Sequence, residues 1–285
     1  MRIDSHQHFW SYDASEYPWI GESMGVLRRD FLPPDLEPHL AAHGLDGSVA
    51  VQARQSLAET RWLLQLAREH ARVVVPVMGP VMGIVGWVDL CSEEVGAQLA
   101  ELGPDPLLVG VRHVAQDEPD DRFLVRADFQ RGIARLAEHG LRYDLLVYPR
   151  QLPAAEELVR AFPEQPFVLD HVAKPPIAEG RLDPWRDDLR RLAEHPNVCC
   201  KVSGLVTEAD WKSWRPADFG PYLEVVREAF GEERLMYGSD WPVCLVAGDY
   251  GAVAGLAESF AAELSEEGRR AFFGGNAARF YGLAE

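Results

Sequence analysis

Short apolar runs rich in Val, Ile and Leu alternate with segments whose apolar residues recur every three or four positions, from one end of the chain to the other. The runs predict strands over 3–8, 47–53, 83–89, 107–113, 141–148, 167–171, 198–203 and 235–240. Two runs, 73–77 and 84–88, compete for the third place. The second is preferred because a helix capped by Ser92 follows it directly, which leaves the first as an extension or an extra strand. Helix signals fill the gaps. Ser56-Leu57-Ala58-Glu59 has the form of a capping box, with Trp62, Leu63, Leu66 and Ala67 on one face behind it. Asp183-Pro184 reads as a cap with proline at the first helical position, ahead of Trp185, Leu189 and Leu192. Helices over 129–139 and 222–230 should stop at Gly140 and Gly231. Strands that are almost continuously apolar, each followed by a helix, argue for an α/β fold: a parallel (β/α)8 TIM barrel forming one domain over residues 1–285. An open doubly wound sheet is the alternative, but its GxGxxG turn is missing after the first strand.

Composition narrows the partners. The 285 residues are 47% hydrophobic, enough to bury a core and to exclude disorder. With 28 basic against 45 acidic side chains, the net charge of −17 repels nucleic acid and anionic membrane surfaces alike. The longest apolar run, 73–88, is interrupted by Pro76, Gly79, Pro80, Gly83 and Gly86 and falls short of a membrane span. Met1 to His6 contains no apolar signal core. Cys91, Cys199, Cys200 and Cys244 form no CxxC pair, so reduced thiols in a cytoplasmic protein are expected. A small neutral molecule is the expected ligand, and the outer helices leave homo-oligomer assembly open.

Barrel enzymes gather their chemistry at the C-terminal ends of the strands. Those ends here carry His6 and His8, Arg112 and His113, Tyr148, Asp170 and His171, Lys201 and Ser203, and Ser239, Asp240 and Trp241. His6 and His8 are two apart, so both imidazoles leave the same side of a strand. Individually each residue has a structural explanation: an HxH pair arises by chance, Lys201 could pair with a carboxylate, and Asp240 could cap a turn before Pro242. Recurrence of such groups at one end of separate strands favours a site. His39, His43, His70, His139 and His195 fall on or near helix ends, where a histidine complements the helix dipole. The acidic stretch from Asp117 to Asp121 is expected to be a solvated loop.

With those residues in place, the sequence resembles the amidohydrolase superfamily, and within it the L-fuconolactonase-like branch of sugar-lactone hydrolases. The resemblance rests on Ile3-Asp4-Ser5-His6-Gln7-His8-Phe9-Trp10, Ser48-Val49-Ala50-Val51-Gln52-Ala53-Arg54-Gln55 and Gly86-Trp87-Val88-Asp89-Leu90. It continues through Gly110-Val111-Arg112-His113, Leu169-Asp170-His171-Val172-Ala173-Lys174-Pro175 and Cys200-Lys201-Val202-Ser203-Gly204-Leu205. Tyr237-Gly238-Ser239-Asp240-Trp241-Pro242 and Gly275-Asn276-Ala277-Ala278-Arg279-Phe280-Tyr281 complete it. The segment 72–82 departs from the pattern, as if residues had been added. The bridging carboxylate of binuclear superfamily members is also missing, because the fourth and fifth strands end in Arg112-His113 and Tyr148. What remains is His6, His8, His171 and Asp240, an N3O set suited to a single Zn2+ or other divalent ion. The branch resemblance implies that this metal is weak or dispensable.

The resemblance implies hydrolysis of an aldonolactone, L-fucono-1,5-lactone or a similar L-sugar lactone. Asp240 is the expected general base, made more basic by partial desolvation. His6, His8 and Arg112 would stabilise the oxyanion, and His171 or protonated Asp240 would supply the leaving-group proton. Gln52, Arg54, Trp87, Arg112, His113, Tyr148 and Trp241 are the expected substrate contacts, with Phe9, Trp10, Trp87 and Trp241 as an apolar wall. Two rivals are a decarboxylase of the same superfamily and a non-catalytic sugar-binding barrel. The few strand-end cations, Arg54, Arg112 and Lys201, disfavour the dicarboxylate substrates of the first. The intact Asp240 and HxH pair disfavour the second.

Overall fold

The computed structural model of the chain describes residues 1–70 and 81–283. Eight strands form one parallel sheet in sequence order: β1 (Ile3–Gln7), β2 (Gly47–Val51), β3 (Val81–Gly86), β4 (Leu108–His113), β5 (Arg142–Leu145), β6 (Phe167–Leu169), β7 (Val198–Val202) and β8 (Leu235–Tyr237). Past the last strand the sheet meets its first. Asp240 N donates to His6 O at 2.8 Å and His8 N to Trp241 O at 2.7 Å, which closes the barrel. The intervening helices are α1 (Pro33–Ala42), α2 (Leu57–Glu69), α3 (Val95–Leu102), α4 (Ala127–Leu136), α5 (Leu152–Ala161), α6 (Trp185–Ala193), α7 (Pro216–Phe230) and α8 (Tyr250–Ala261). Two short helices follow, α9 (Glu266–Arg270) and α10 (Asn276–Tyr281). Among the described residues no helix is long and apolar enough to cross a membrane, and all four cysteines are free.

The (β/α)8 barrel expected from the apolar pattern is the fold observed. Each predicted strand is present, and most end a few residues early, because the polar residues at the ends belong to the loops of the site. The third strand begins at Val81 and stops at Gly86, overlapping the run preferred for it. The competing run 73–77 lies outside the described residues. Helices do stop before Gly140 and Gly231, both with a φ of 65°.

Three local expectations are corrected. Asp183 does not cap α6; its carboxylate accepts from Arg186 at 3.0 Å, and Pro184 occupies the cap position. The third helix starts at Val95 rather than Ser92, whose hydroxyl accepts from Glu94 N. Of the capping box only one half forms: Ser56 Oγ accepts from Glu59 N at 3.1 Å, but Glu59 does not reach back. Its carboxylate instead accepts from Ala53 N at 3.1 Å, Arg54 N at 2.9 Å and the Tyr17 hydroxyl at 3.4 Å, bracing the loop that follows β2.

That buried carboxylate makes stability depend on pH. Burial pushes Glu59 up from 4.5 to about 7, against the opposing pull of the loop amides and Arg54. A carboxyl whose folded pKa is raised stabilises fully below its ordinary pKa and loses that contribution as pH rises through 7. Glutamine can keep the two loop amides on its single oxygen without ionising. Between pH 5 and pH 8 the wild type should therefore lose about 2–4 kcal/mol relative to Glu59→Gln, measured by urea unfolding. Parallel pH profiles for the two proteins would show that Glu59 does not titrate in this range.

At the N-terminal end of the barrel, Arg142, the first residue of β5, donates to Phe280 O at 2.6 Å and holds α10 there. Ala277, Phe280 and Tyr281 of that helix join Ile3, Val49, Val168 and Met236 in a small apolar cluster separate from the main core. The opposite end, where the strands finish, is left to the polar residues.

Candidate active site

A cleft of about 800 Å³ opens at the C-terminal end of the barrel, a volume suited to a small-molecule ligand. His8, Arg112, His171 and Asp240 line its floor. His6 lies directly beneath, fully buried, its ring 4.4 Å from that of His171 and 4.9 Å from that of His8. The Nε2 atoms of His6, His8 and His171 stand 3.9, 3.4 and 3.8 Å from one oxygen of Asp240. All four residues predicted to carry the chemistry are thus brought together.

Each imidazole is held from behind. His8 Nδ1 lies 2.7 Å from Val51 O. A carbonyl can only accept, so Nδ1 carries a proton and Nε2 is the atom turned toward the cleft. His171 Nδ1 pairs with Ser203 Oγ at 2.9 Å. His6 Nδ1 faces Asp170 Oδ1 at 3.3 Å, and Asp170 is gripped by Lys201 at 3.0 Å and Arg112 at 3.0 Å. Gly204 makes room for this packing: a Cβ there would stand 2.4 Å from His171 Nδ1 and 3.1 Å from Asp240 Oδ2.

Electrostatics follow from burial and these neighbours. Burial, with Lys201 beside it, holds His6 well below the ordinary imidazole range despite Asp170. Burial likewise pushes His171 down to about 4, against the pull of Asp240 and Asp170. Burial alone would raise Asp240, but His171, the hydrogen bond from His8 and the proximity of His6 outweigh it. The carboxyl is held below the usual range. This corrects the expectation of a desolvated, more basic Asp240: its surroundings keep it ionised throughout the neutral range.

The donor set fits one metal ion. Tetrahedral bonds of 2.0–2.2 Å keep ligand atoms about 3.3–3.5 Å apart. His6 Nε2 and His8 Nε2 are 3.2 Å apart, and their distances to Asp240 Oδ1 are 3.9 and 3.4 Å. His6, His8 and Asp240 form a group able to hold an ion, with His171 next to it. The Asp170 contact behind His6 is the kind of carboxylate support that orients metal-binding histidines.

The predicted substrate contacts divide. Arg54, Arg112 and Tyr148 line the cleft. His113 does not. As the neighbour of inward-facing Arg112 it turns outward, stacks on Phe123 at 4.7 Å and pairs with Glu118 at 2.7 Å. Glu118, and Asp121 through Arg150 at 2.7 Å, show that the acidic stretch is partly tied down rather than simply solvated. Trp241 is buried against Phe31 and Phe9, and Trp10 packs on Phe31 as well. Trp87 contacts Thr60 through its backbone, and its indole is not on the wall. Gln52 is fully buried, its backbone carbonyl accepting from Arg112 Nη2 at 2.5 Å. The apolar wall is built instead from Trp19, Met24, Trp211, Val243 and Val246. Lys174 and Glu208, which also line the cleft, were not among the expected contacts.

Comparison with known proteins settles the relationship that this geometry suggests. A family model described as amidohydrolase matches residues 3–283. The chain belongs to the amidohydrolase family. Over its full length this amidohydrolase is 47% identical to the L-fucono-1,5-lactonase of Burkholderia multivorans, covering 97% of that protein. It is 41% identical to the L-fucono-1,5-lactonase of Burkholderia ambifaria, across 99% of this chain and 95% of the relative. A crystal structure of an amidohydrolase from Burkholderia multivorans with bound zinc superimposes with a TM-score of 0.93 at 46% identity, covering both chains completely.

Proposed function

We propose that this amidohydrolase opens a sugar 1,5-lactone, L-fucono-1,5-lactone or a similar L-sugar lactone, by attack of a water that Asp240 deprotonates. The convergence of three histidine nitrogens on one oxygen of Asp240, at the floor of a sugar-sized cleft, carries the proposal. Full-length relatives named for this reaction support it. Residues 1–285 act as one barrel domain, and a cytoplasmic setting suits its four free cysteines.

The ionised Asp240 accepts the water proton as the water oxygen bonds to the lactone carbonyl carbon. Arg112 brings a fixed positive charge to the floor beside the developing oxyanion. The tetrahedral adduct collapses by breaking the bond to the ring oxygen, and Asp240 returns its proton there, leaving a hydroxyl. His171, neutral near pH 7, orients Asp240 and does not serve as the acid. His6, His8 and Asp240 would hold a zinc ion, the metal bound in a relative 46% identical, and it would lower the pKa of bound water and polarise the carbonyl. The aldonic acid product ionises at neutral pH, so each turnover releases one proton.

Substrate preference tests this reading. The apolar side of the cleft gains about 0.8 kcal/mol for burying a methyl-sized group and leaves an added hydroxyl unpaired at a cost of roughly 1–3 kcal/mol. We expect kcat/KM for L-fucono-1,5-lactone to exceed that for L-galactono-1,5-lactone by tens- to hundreds-fold. Equal values, or a preference for the 6-hydroxylated sugar, would place a polar surface where the wall is assigned.

A further inference from the structure

Beyond the reacting centre, the cleft wall carries an ion pair, Lys174 with Glu208, that the chemistry just described does not use. Lys174 Nζ stands 3.8 Å from Glu208 Oε1, and both side chains are mostly buried on the cleft wall. At that separation no direct hydrogen bond forms, so the ammonium keeps donors and the carboxylate keeps acceptors for a third group. The Lys174 ammonium also lies 5.3 Å over the ring of Tyr148, another wall residue. An apolar ring face beside a free donor and a free acceptor is the equipment that a sugar demands.

The backbone that delivers Lys174 is built at a cost. His171, Val172, Ala173 and Lys174 have φ of 51°, 55°, 57° and 50°, four consecutive left-handed residues, none of them glycine. That conformation is unfavourable for every L residue and most out of place for β-branched Val172. It is held by complete burial of Val172 and Ala173, by Trp185 Nε1 donating to Val172 O at 2.8 Å, and by Lys174 N donating to His171 O at 2.7 Å. The result is a single tight turn whose first and last side chains, His171 and Lys174, both line the cleft. Strain maintained in this way marks a functional constraint.

We infer that Lys174 and Glu208 form a hydroxyl-reading pair that positions the sugar ring. The ammonium donates to one ring hydroxyl oxygen, the carboxylate accepts from a neighbouring hydroxyl, and Tyr148 covers the apolar edge between them. The inference rests on the sugar-lactone reading and assigns the pair to specificity rather than to the bond-breaking step. Thr207 stands beside the carboxylate, its hydroxyl 2.7 Å from Gly204 O and 3.3 Å from Glu208 Oε1.

Two measurements on the full-length protein test it: steady-state opening of L-fucono-1,5-lactone, and binding of L-fucose, a neutral pyranose, followed by NMR titration. Lys174→Met and Glu208→Gln should each raise KM about tenfold to hundredfold, the weight of one charge-assisted hydrogen bond, while the loss in kcat stays under about threefold. L-fucose binding should weaken in parallel, and Lys174→Arg should recover part of both. A fall in kcat with KM unchanged would overturn the inference by placing the pair in the chemistry. Unchanged KM and unchanged L-fucose binding would overturn it by leaving the pair without a ligand. The two readings can fail separately. A wild type that binds L-fucose through Lys174 but opens no lactone sinks the lactonase reading alone. One that opens the lactone with both variants unaffected sinks the pair alone, and a wild type that does neither overturns both.

Discussion

Asp240→Asn should lower kcat for lactone opening about a hundredfold or more while leaving the folded protein intact. Asparagine preserves the size of the side chain and an oxygen that can accept from His8, now 3.4 Å away. It also tolerates the left-handed backbone that residue 240 adopts, with φ of 56°. What it removes is the negative charge that accepts the water proton and later returns it. Because the three histidines already hold Asp240 low, the wild-type site depends on charge that is present across the neutral range, and no pH in that range should rescue the variant. A rate within threefold of wild type would move the base elsewhere in the cleft.

The second large effect is on stability. Lys201 is fully buried inside the barrel, its ammonium 2.5 Å from Asp144 Oδ2, 3.0 Å from Asp170 Oδ1 and 3.2 Å from His6 Nδ1. Lys201→Met fills the same space but strips two buried carboxylates of their shared cation. Arg112 still serves Asp170 and the Tyr281 hydroxyl still donates to Asp144 at 2.8 Å, so the cluster is weakened rather than abolished. Breaking such a pair from one side costs about 3–5 kcal/mol, which lowers Tm by roughly 10 °C in a chain of this size. The sign with pH follows from Asp144. Burial already raises it to about 6 against the pull of Lys201, and loss of the cation raises it further. A carboxyl raised in the folded state destabilises as pH climbs through that value, so the loss in Tm should be larger at pH 8 than at pH 5. Adding Asp144→Asn should restore part of it. A Tm within 2 °C of wild type at pH 8 would show that the cluster is not held by Lys201.

Much of this was legible in the sequence, for physical reasons that also explain the gaps. Parallel strands buried on both faces leave long apolar runs, and loops at one end of a barrel collect polar residues, so the fold and the strand-end groups could be read directly, while the resemblance to amidohydrolases singled out His6, His8, His171 and Asp240 among them. Strand-end position alone does not give direction. His113 follows Arg112, and the twofold alternation of the strand sends one inward and the other onto Phe123. Trp241 and Trp10 are of sugar-stacking type, yet both serve the core. Lys174 stood in a motif already noted, but nothing in Val172-Ala173 announces a left-handed turn. Asp144 was a lone acid within an apolar strand, and its partners Lys201 and Tyr281 lie far away in sequence. The wall residues Trp19, Met24 and Trp211 come from loops, whose placement depends on tertiary packing rather than periodicity.

The reaction proposed for this cleft is the opening of a sugar lactone by water attack. Its most direct test is acid release from fresh L-fucono-1,5-lactone, followed by a pH indicator with the purified protein. We expect saturable release of one proton per lactone opened, well above the spontaneous rate, with no carbon dioxide formed. Opening no faster than without protein, across a panel of fresh aldonolactones, would contradict it.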